Sequence, residues 1–170
     1  LKQLSIHKIN NNTFEIINTS QVIEMGEHST KALKQKPDSS IAKGFELLEK
    51  GFIDGFASAG NTGAMFLGGY YSVKAISGII RPCISAILPK EEGGVGLLLD
   101  VGTNADCKPD ILYQFGILGS LFVEHVCGIQ NPKVRLLNLG EEKTKGNLLT
   151  QASYAIMEKT RDYNFIGNIE

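Results

Sequence analysis

An alternation limits what this chain can fold into. Short apolar runs recur along it, parted by longer stretches with helical spacing of apolar residues. That rhythm belongs to βαβ units and a parallel sheet. It predicts strands at Phe14–Ile17, Phe52–Ser58, Ile84–Leu88, Val95–Leu99, Val134–Leu139 and Asn164–Ile169. Ser39 reads as the N-cap of a helix whose apolar side is Ile41, Phe45, Leu47 and Leu48, with Gly51 as its stop. Further helices are expected over Ala64–Ile76, from Pro109 in a first turn to about Val126, and over Leu148–Lys159. The short loop from Pro89 to Gly94 favours an antiparallel hairpin between the runs it joins, so the sheet is mixed. The expected fold class is α/β: a three-layer α/β/α sandwich with a mostly parallel sheet, a single domain over residues 1–170.

Composition narrows the function classes. A chain of 170 residues that is 42% hydrophobic and 21% charged can bury a core, which argues against disorder. Lys and Arg number 17 against 18 Asp and Glu, a balance that gives no support for a nucleic-acid partner. Cys83, Cys107 and Cys127 are odd in number and form no C-x-x-C, so neither a disulfide framework nor a zinc site is expected, and a reducing cytoplasm is. The longest apolar run, around Phe115 to Val123, falls far short of the roughly 20 residues that span a bilayer. Leu1-Lys2-Gln3-Leu4 has no signal-peptide character, and a start at Leu rather than Met suggests a piece of a longer protein.

In open α/β sheets ligands bind beyond the carboxyl ends of strands. Three polar, glycine-bearing loops follow predicted strands. In the first, Gly60-Asn61-Thr62-Gly63 precedes a helix, where backbone N–H groups and the helix N-terminus attract an anion. Asn61 and Thr62 can add side-chain donors; a tight turn with an N-cap explains the same residues without a ligand. The segment matches neither common nucleotide-loop pattern. In the second, Asp100, Asn104 and Asp106 have part of a calcium-loop spacing but lack its Gly and closing Glu, so no metal is expected, and Asx-turns are the bland alternative. The third, Gly140 to Asn147, carries Lys143 and Lys145. It is either a solvated charged surface or a loop whose Lys145-Gly146-Asn147 sets an ammonium beside an anion at a helix start. Arg81, ahead of Pro82, is another possible anion contact or a surface charge. His7, His28 and His125 stand far apart with no G-x-S-x-G elbow, and Cys107 has no nearby base in sequence. An enzyme whose nucleophile is phosphate itself needs no protein nucleophile.

Several segments together resemble the bacterial phosphate acyltransferase family: Ser58-Ala59-Gly60-Asn61-Thr62-Gly63-Ala64, Arg81-Pro82, Leu98 to Asp106, Lys108-Pro109, Leu136 to Glu142, Lys145-Gly146-Asn147, Leu149-Thr150 and Asn164 to Glu170. The likeness runs in order from about Val22 to the last residue. It implies an isocitrate dehydrogenase/phosphotransacetylase-like fold that forms homodimers, and a cytoplasmic enzyme peripherally associated with the membrane. The implied reaction joins inorganic phosphate to the acyl group of long-chain acyl–acyl carrier protein, giving acyl phosphate for phosphatidic acid synthesis, with no cofactor. By motif, Lys145 matches the family's catalytic lysine; Gly60, Asn61, Thr62, Gly63, Asp100, Asn104, Asp106 and Asn147 match segments lining its cleft. The family's opening Asp-Ala-Met-Gly-Gly-Asp segment with its following His, and its Asp-Gly-Phe-x-Gly-Asn segment, are not in these residues. The resemblance therefore implies an internal piece that is inactive alone. A phosphotransacetylase using short acyl-coenzyme A, and a non-catalytic α/β binding module, are the alternatives.

Overall fold

A computed structural model describes residues 2–10 and 13–170. Leu1, part of the amino-terminal stretch read for a leader, lies outside them. Elements run in the order α1 (Lys2–Ile6), α2 (Ser29–Gln35), α3 (Ser40–Glu49), α4 (Thr62–Val73), β1 (Ser85–Pro89), β2 (Val95–Leu99), α5 (Pro109–His125), β3 (Lys133–Leu137), α6 (Leu148–Met157) and β4 (Asn164–Ile169). The architecture is mixed α/β, in two compact units, Leu1–Lys74 and Ala75–Glu170.

The described part of the first unit is built from helices. Ser39 caps α3 by accepting a hydrogen bond from the Ala42 N–H at 3.3 Å, and Gly51 (φ 72°) takes the left-handed turn that follows the helix end. Ile41 and Phe45 face inward with Ile23, Ala32 and Ala64, and Phe56 stacks edge-on against Phe45 at 5.1 Å. The expected strands at Phe14–Ile17 and Phe52–Ser58 do not form; both segments are irregular. Extended chain needs a neighbouring strand to satisfy its backbone, and the only bridge among the described residues of this unit joins Gln21 to Ser39. Asp54 and Gly55, both poor strand formers, interrupt the second run, and Phe56 goes to the helical core instead.

The second unit carries the strands. β1 and β2 form the antiparallel hairpin expected from the short loop, with Ser85 opposite Leu99 and Pro89 opposite Val95. β3 and β4 pair in parallel, joined through α6, with an irregularity between Val134 and Leu136. Pro109 opens α5, where its missing N–H costs nothing. Leu136, Met157 and Tyr163 form the core beneath α5 and α6, flanked by Leu112, Ile117, Val134 and Phe165. The buried side chains therefore hold β3, β4 and two helices as one packed group.

Two neighbouring glycines in α4 test the helical core. A Cβ at Gly68 would overlap the ring of buried Phe45, whereas one at Gly69 would meet that ring at an ordinary 3.7 Å. Gly69→Ala should stabilise by up to about 1 kcal/mol through helix propensity. Gly68→Ala should lose that gain and destabilise by roughly 1–3 kcal/mol through overpacking. Urea unfolding followed by circular dichroism separates the two.

Candidate functional site

Three loops carry the residues singled out by the sequence, Gly60–Gly63 in the first unit and the other two in the second. Asn61 is the N-cap of α4, and its side chain is fully engaged. Its Oδ1 accepts from the Ala64 N–H at 2.9 Å and from the Ser29 hydroxyl at 3.1 Å. Its Nδ2 donates to the carbonyls of Glu24, Met25 and Glu27 at 3.0–3.2 Å. At 4% exposure this amide ties the loop before α2 to the start of α4. Gly63 is needed because a Cβ there would run into Ser29. Thr62 is exposed at the first helical position, where N–H groups have no partner within the helix. The Gly60 N–H donates to the Ser58 hydroxyl at 3.1 Å, so the loop's outward groups are the exposed Thr62 and the N–H groups beside it, and the Asn61 side chain shapes it.

Beyond β2, Asp100 (φ 63°) turns the chain in a conformation unusual for a residue with a side chain. Its carboxylate is occupied on both oxygens: Asn104 Nδ2 donates to Oδ1 at 2.8 Å and the Cys107 thiol donates to Oδ2 at 3.3 Å. Asn104 also donates to the Pro82 carbonyl, and Arg81 donates to the carbonyl of Asp106 at 3.0 Å. Asp100 and Asn104 therefore come together, while the arginine meets the Asp106 backbone. Burial, joined by the Asp100 carboxylate, pushes the Cys107 thiol up to about 11, so it stays a neutral thiol at ordinary pH and is no nucleophile. The Thr103 hydroxyl, which the sequence reading passed over, is buried in this loop with no hydrogen-bond partner among the described residues.

The loop after β3 is held by three side-chain amides. Asn138 leaves the strand with its N–H on the Ile169 carbonyl, then donates from Nδ2 to the Lys145 carbonyl at 3.1 Å. Asn168, 2% exposed, donates to the Glu142 carbonyl at 3.0 Å, and Gln151 donates to the carbonyls of Thr144 and Gly146. Gly146 has φ 89°, and a Cβ on it would collide with Thr150 Oγ1 and Asn138 Oδ1. Only glycine meets both demands. Asn147 caps α6 by accepting from the Thr150 N–H at 2.9 Å. Lys143 is paired with Glu158 and lies 5.6 Å over the Tyr154 ring, which raises the lysine's pKa, chiefly through the Glu158 bond. The exposed Lys145 ammonium has no hydrogen bond or ion pair with the described residues. Two lysines alike in sequence are thus unlike in structure, one neutralised and one available.

Asn138, Gln151 and Asn168 were not anticipated. The two asparagines stand within or beside strands, where Asn is a poor fit, and that mismatch is the signal that could have marked them.

Asn61→Ala removes five hydrogen bonds at once and should destabilise by about 2–4 kcal/mol. Thr62→Ala, on the exposed face, should stay within about 0.5 kcal/mol of the parent. Thermal unfolding checks both; equal stability of the two variants would remove the structural role given to Asn61.

Residues 2–170 match the family described as fatty acid synthesis protein. A protein named phosphate acyltransferase from Dictyoglomus turgidum is 42% identical over 169 residues, 99% of this chain and 50% of its own length. A namesake from Desulfitobacterium hafniense is 49% identical over 151 residues, 89% of this chain and 45% of its own. One from Staphylococcus aureus is 43% identical over 164 residues, 96% and 50%. The chain spans about half the length of the curated relatives it matches. With nearly every residue inside the match, the chain belongs to the fatty acid synthesis protein family, beside relatives that bear the name phosphate acyltransferase.

Proposed function

We propose that the protein to which these residues belong transfers an acyl group from long-chain acyl–acyl carrier protein to inorganic phosphate, making acyl phosphate for phospholipid synthesis. The observation that carries this reading is the Lys145 ammonium, unpaired among the described residues, on a loop that Asn138, Gly146, Asn147 and Gln151 hold in shape. In the proposed reaction a phosphate oxygen attacks the thioester carbonyl carbon. The carbonyl oxygen gains negative charge, then the carbonyl re-forms as the C–S bond breaks, and the departing carrier thiolate takes up the proton that hydrogen phosphate loses. Lys145 stabilises the developing charge or orients phosphate. In the first unit taken by itself, the backbone N–H groups of Thr62 and Gly63 and the Thr62 hydroxyl suit an anion at the start of α4, while the Gly60 N–H is held by the Ser58 hydroxyl at 3.1 Å. Asp100, Asn104, Asp106 and Asn147 act here mainly by setting the loops from which substrate is met.

The same reading extends to the three-layer, mostly parallel sandwich of the intact enzyme, to a homodimer, and to a cytoplasmic protein touching the membrane surface. No helix among the described residues is long and apolar enough to cross a membrane. Offering acyl-carrier-protein and coenzyme A thioesters side by side to the complete enzyme distinguishes this reading from a short-chain phosphotransacetylase.

In the complete enzyme Lys145→Ala should lower kcat on the order of 10²–10³-fold, as loss of one oxyanion donor does, with KM moving far less. Lys143→Ala, which breaks only an exposed ion pair, should keep near-parental kcat. Steady-state acyl phosphate formation measures both. If the two variants behave alike, or Lys145→Ala changes KM alone, the catalytic role is lost.

A further inference from the structure

The backbone of Lys145 is held at both of its polar groups. Its carbonyl accepts from Asn138 Nδ2 at 3.1 Å, and its N–H donates to the Glu142 carbonyl, also at 3.1 Å. That Glu142 carbonyl has a second donor, because Asn168 Nδ2 reaches it from β4 at 3.0 Å. A carbonyl oxygen has two lone pairs, and here both are used. The turn that carries Lys145 is therefore fastened to β4 by one side-chain amide. Asn168 is itself fixed: it stands opposite Leu136 in the β3–β4 pair, and its own carbonyl accepts from the Arg135 guanidinium at 2.9 Å.

For stability alone Asn168 is a poor choice. Asparagine is depleted in strands, this one is buried, and its Oδ1 has no hydrogen-bond partner among the described residues. The amide cannot turn over to correct this, since Oδ1 would then face the Glu142 carbonyl oxygen, acceptor against acceptor. An apolar side chain would fill the position without an unpaired acceptor; what asparagine adds there is the bond from Nδ2. The Lys145 stem shows what that bond controls. It runs close over Gly140, where a Cβ would come within 3.2 Å of Lys145 Cγ and 3.7 Å of Lys145 Cβ. A stem that starts from a fixed backbone and leaves along a glycine has its direction narrowed at its first bonds. We infer that Asn168 is a positioning residue for Lys145: by holding the Glu142 carbonyl it fixes the Lys145 N–H, and with it the direction in which the ammonium leaves the loop. In this role Asn168 acts through the loop backbone rather than on substrate. The inference rests on the role given to Lys145 under the proposed function.

A double-mutant cycle on the complete enzyme tests it, read as kcat and KM for acyl phosphate formation. Asn168→Thr keeps nearly the same volume and suits a strand, but its hydroxyl sits one bond nearer the backbone than the amide nitrogen it replaces. It should lower kcat on the order of 10-fold, with KM for either substrate moving less than about twofold. In the Lys145→Ala background the same change should alter kcat by less than about twofold, because the ammonium it aims is gone. A loss of equal size in both backgrounds would mean that Asn168 serves the fold alone, and would overturn the inference. Parental kcat in Asn168→Thr beside an impaired Lys145→Ala would also overturn it, while leaving the role of Lys145 standing. Near-parental kcat in Lys145→Ala itself marks the other failure: the role of Lys145 is lost and the inference falls with it. Circular dichroism checks that each variant is folded; if Asn168→Thr is not, Asn168→Ala takes its place in the cycle with the same expectations.

Discussion

A chain leaving a strand or entering a helix carries N–H and C=O groups that no ladder or helix satisfies, and here asparagine side chains satisfy them. Asn61 closes the entrance to α4, Asn104 ties Asp100 to Pro82, Asn138 and Asn168 hold the loop after β3, and Asn147 starts α6. A side-chain amide offers a donor and an acceptor on a short stem, so one residue can bind a carbonyl and cap a helix together. The shape of each candidate loop depends on these contacts.

The consequence is sharpest after β3. Hydrogen bonds to the carbonyls of Thr144, Lys145 and Gly146 limit where the Lys145 stem begins, while its ammonium stays uncommitted among the described residues. Lys143 shows the contrast, since Glu158 and Tyr154 use up its charge. A cation held ready without a partner costs no ion-pair rupture when an anion arrives, which is what preorganised electrostatic catalysis requires. The loop after β2 works differently. There the Asp100 carboxylate and an Arg81 N–H make their hydrogen bonds to neutral groups of the loop, and burial keeps Cys107 protonated.

Much of this was legible in the sequence where the signal was local. Ser39, Gly51 and Pro109 mark helix ends by their own backbone chemistry, and all three mark them in the structure. The hairpin of β1 and β2 followed from loop length, and β4 kept its expected bounds. The strands expected at Phe14–Ile17 and Phe52–Ser58 failed because an apolar run does not fix pairing: Phe14, Ile16, Ile17 and Phe52 stay exposed, and Phe56 packs against Phe45. Helix α2 escaped notice because His28 gives it no side-chain cap and only Ala32 is buried. In the candidate loops, the sequence marked the segments but not which side chains within them are engaged. Sequence cannot tell that Asn61 faces its own chain while Thr62 faces out, nor that of two lysines in one loop only one has a partner.

The central claim is that loop geometry, rather than charge alone, makes Lys145 useful, and Gly146 tests it most directly. Gly146→Ala keeps every charged residue but forces a side chain at φ 89° into Thr150 and Asn138. Measured on the complete enzyme as acyl phosphate formed per second, kcat should fall on the order of 10²-fold, approaching the loss from removing one preorganised donor. The circular dichroism spectrum should be retained. A kcat within about twofold of the parent, less than 0.5 kcal/mol in barrier, would contradict the account.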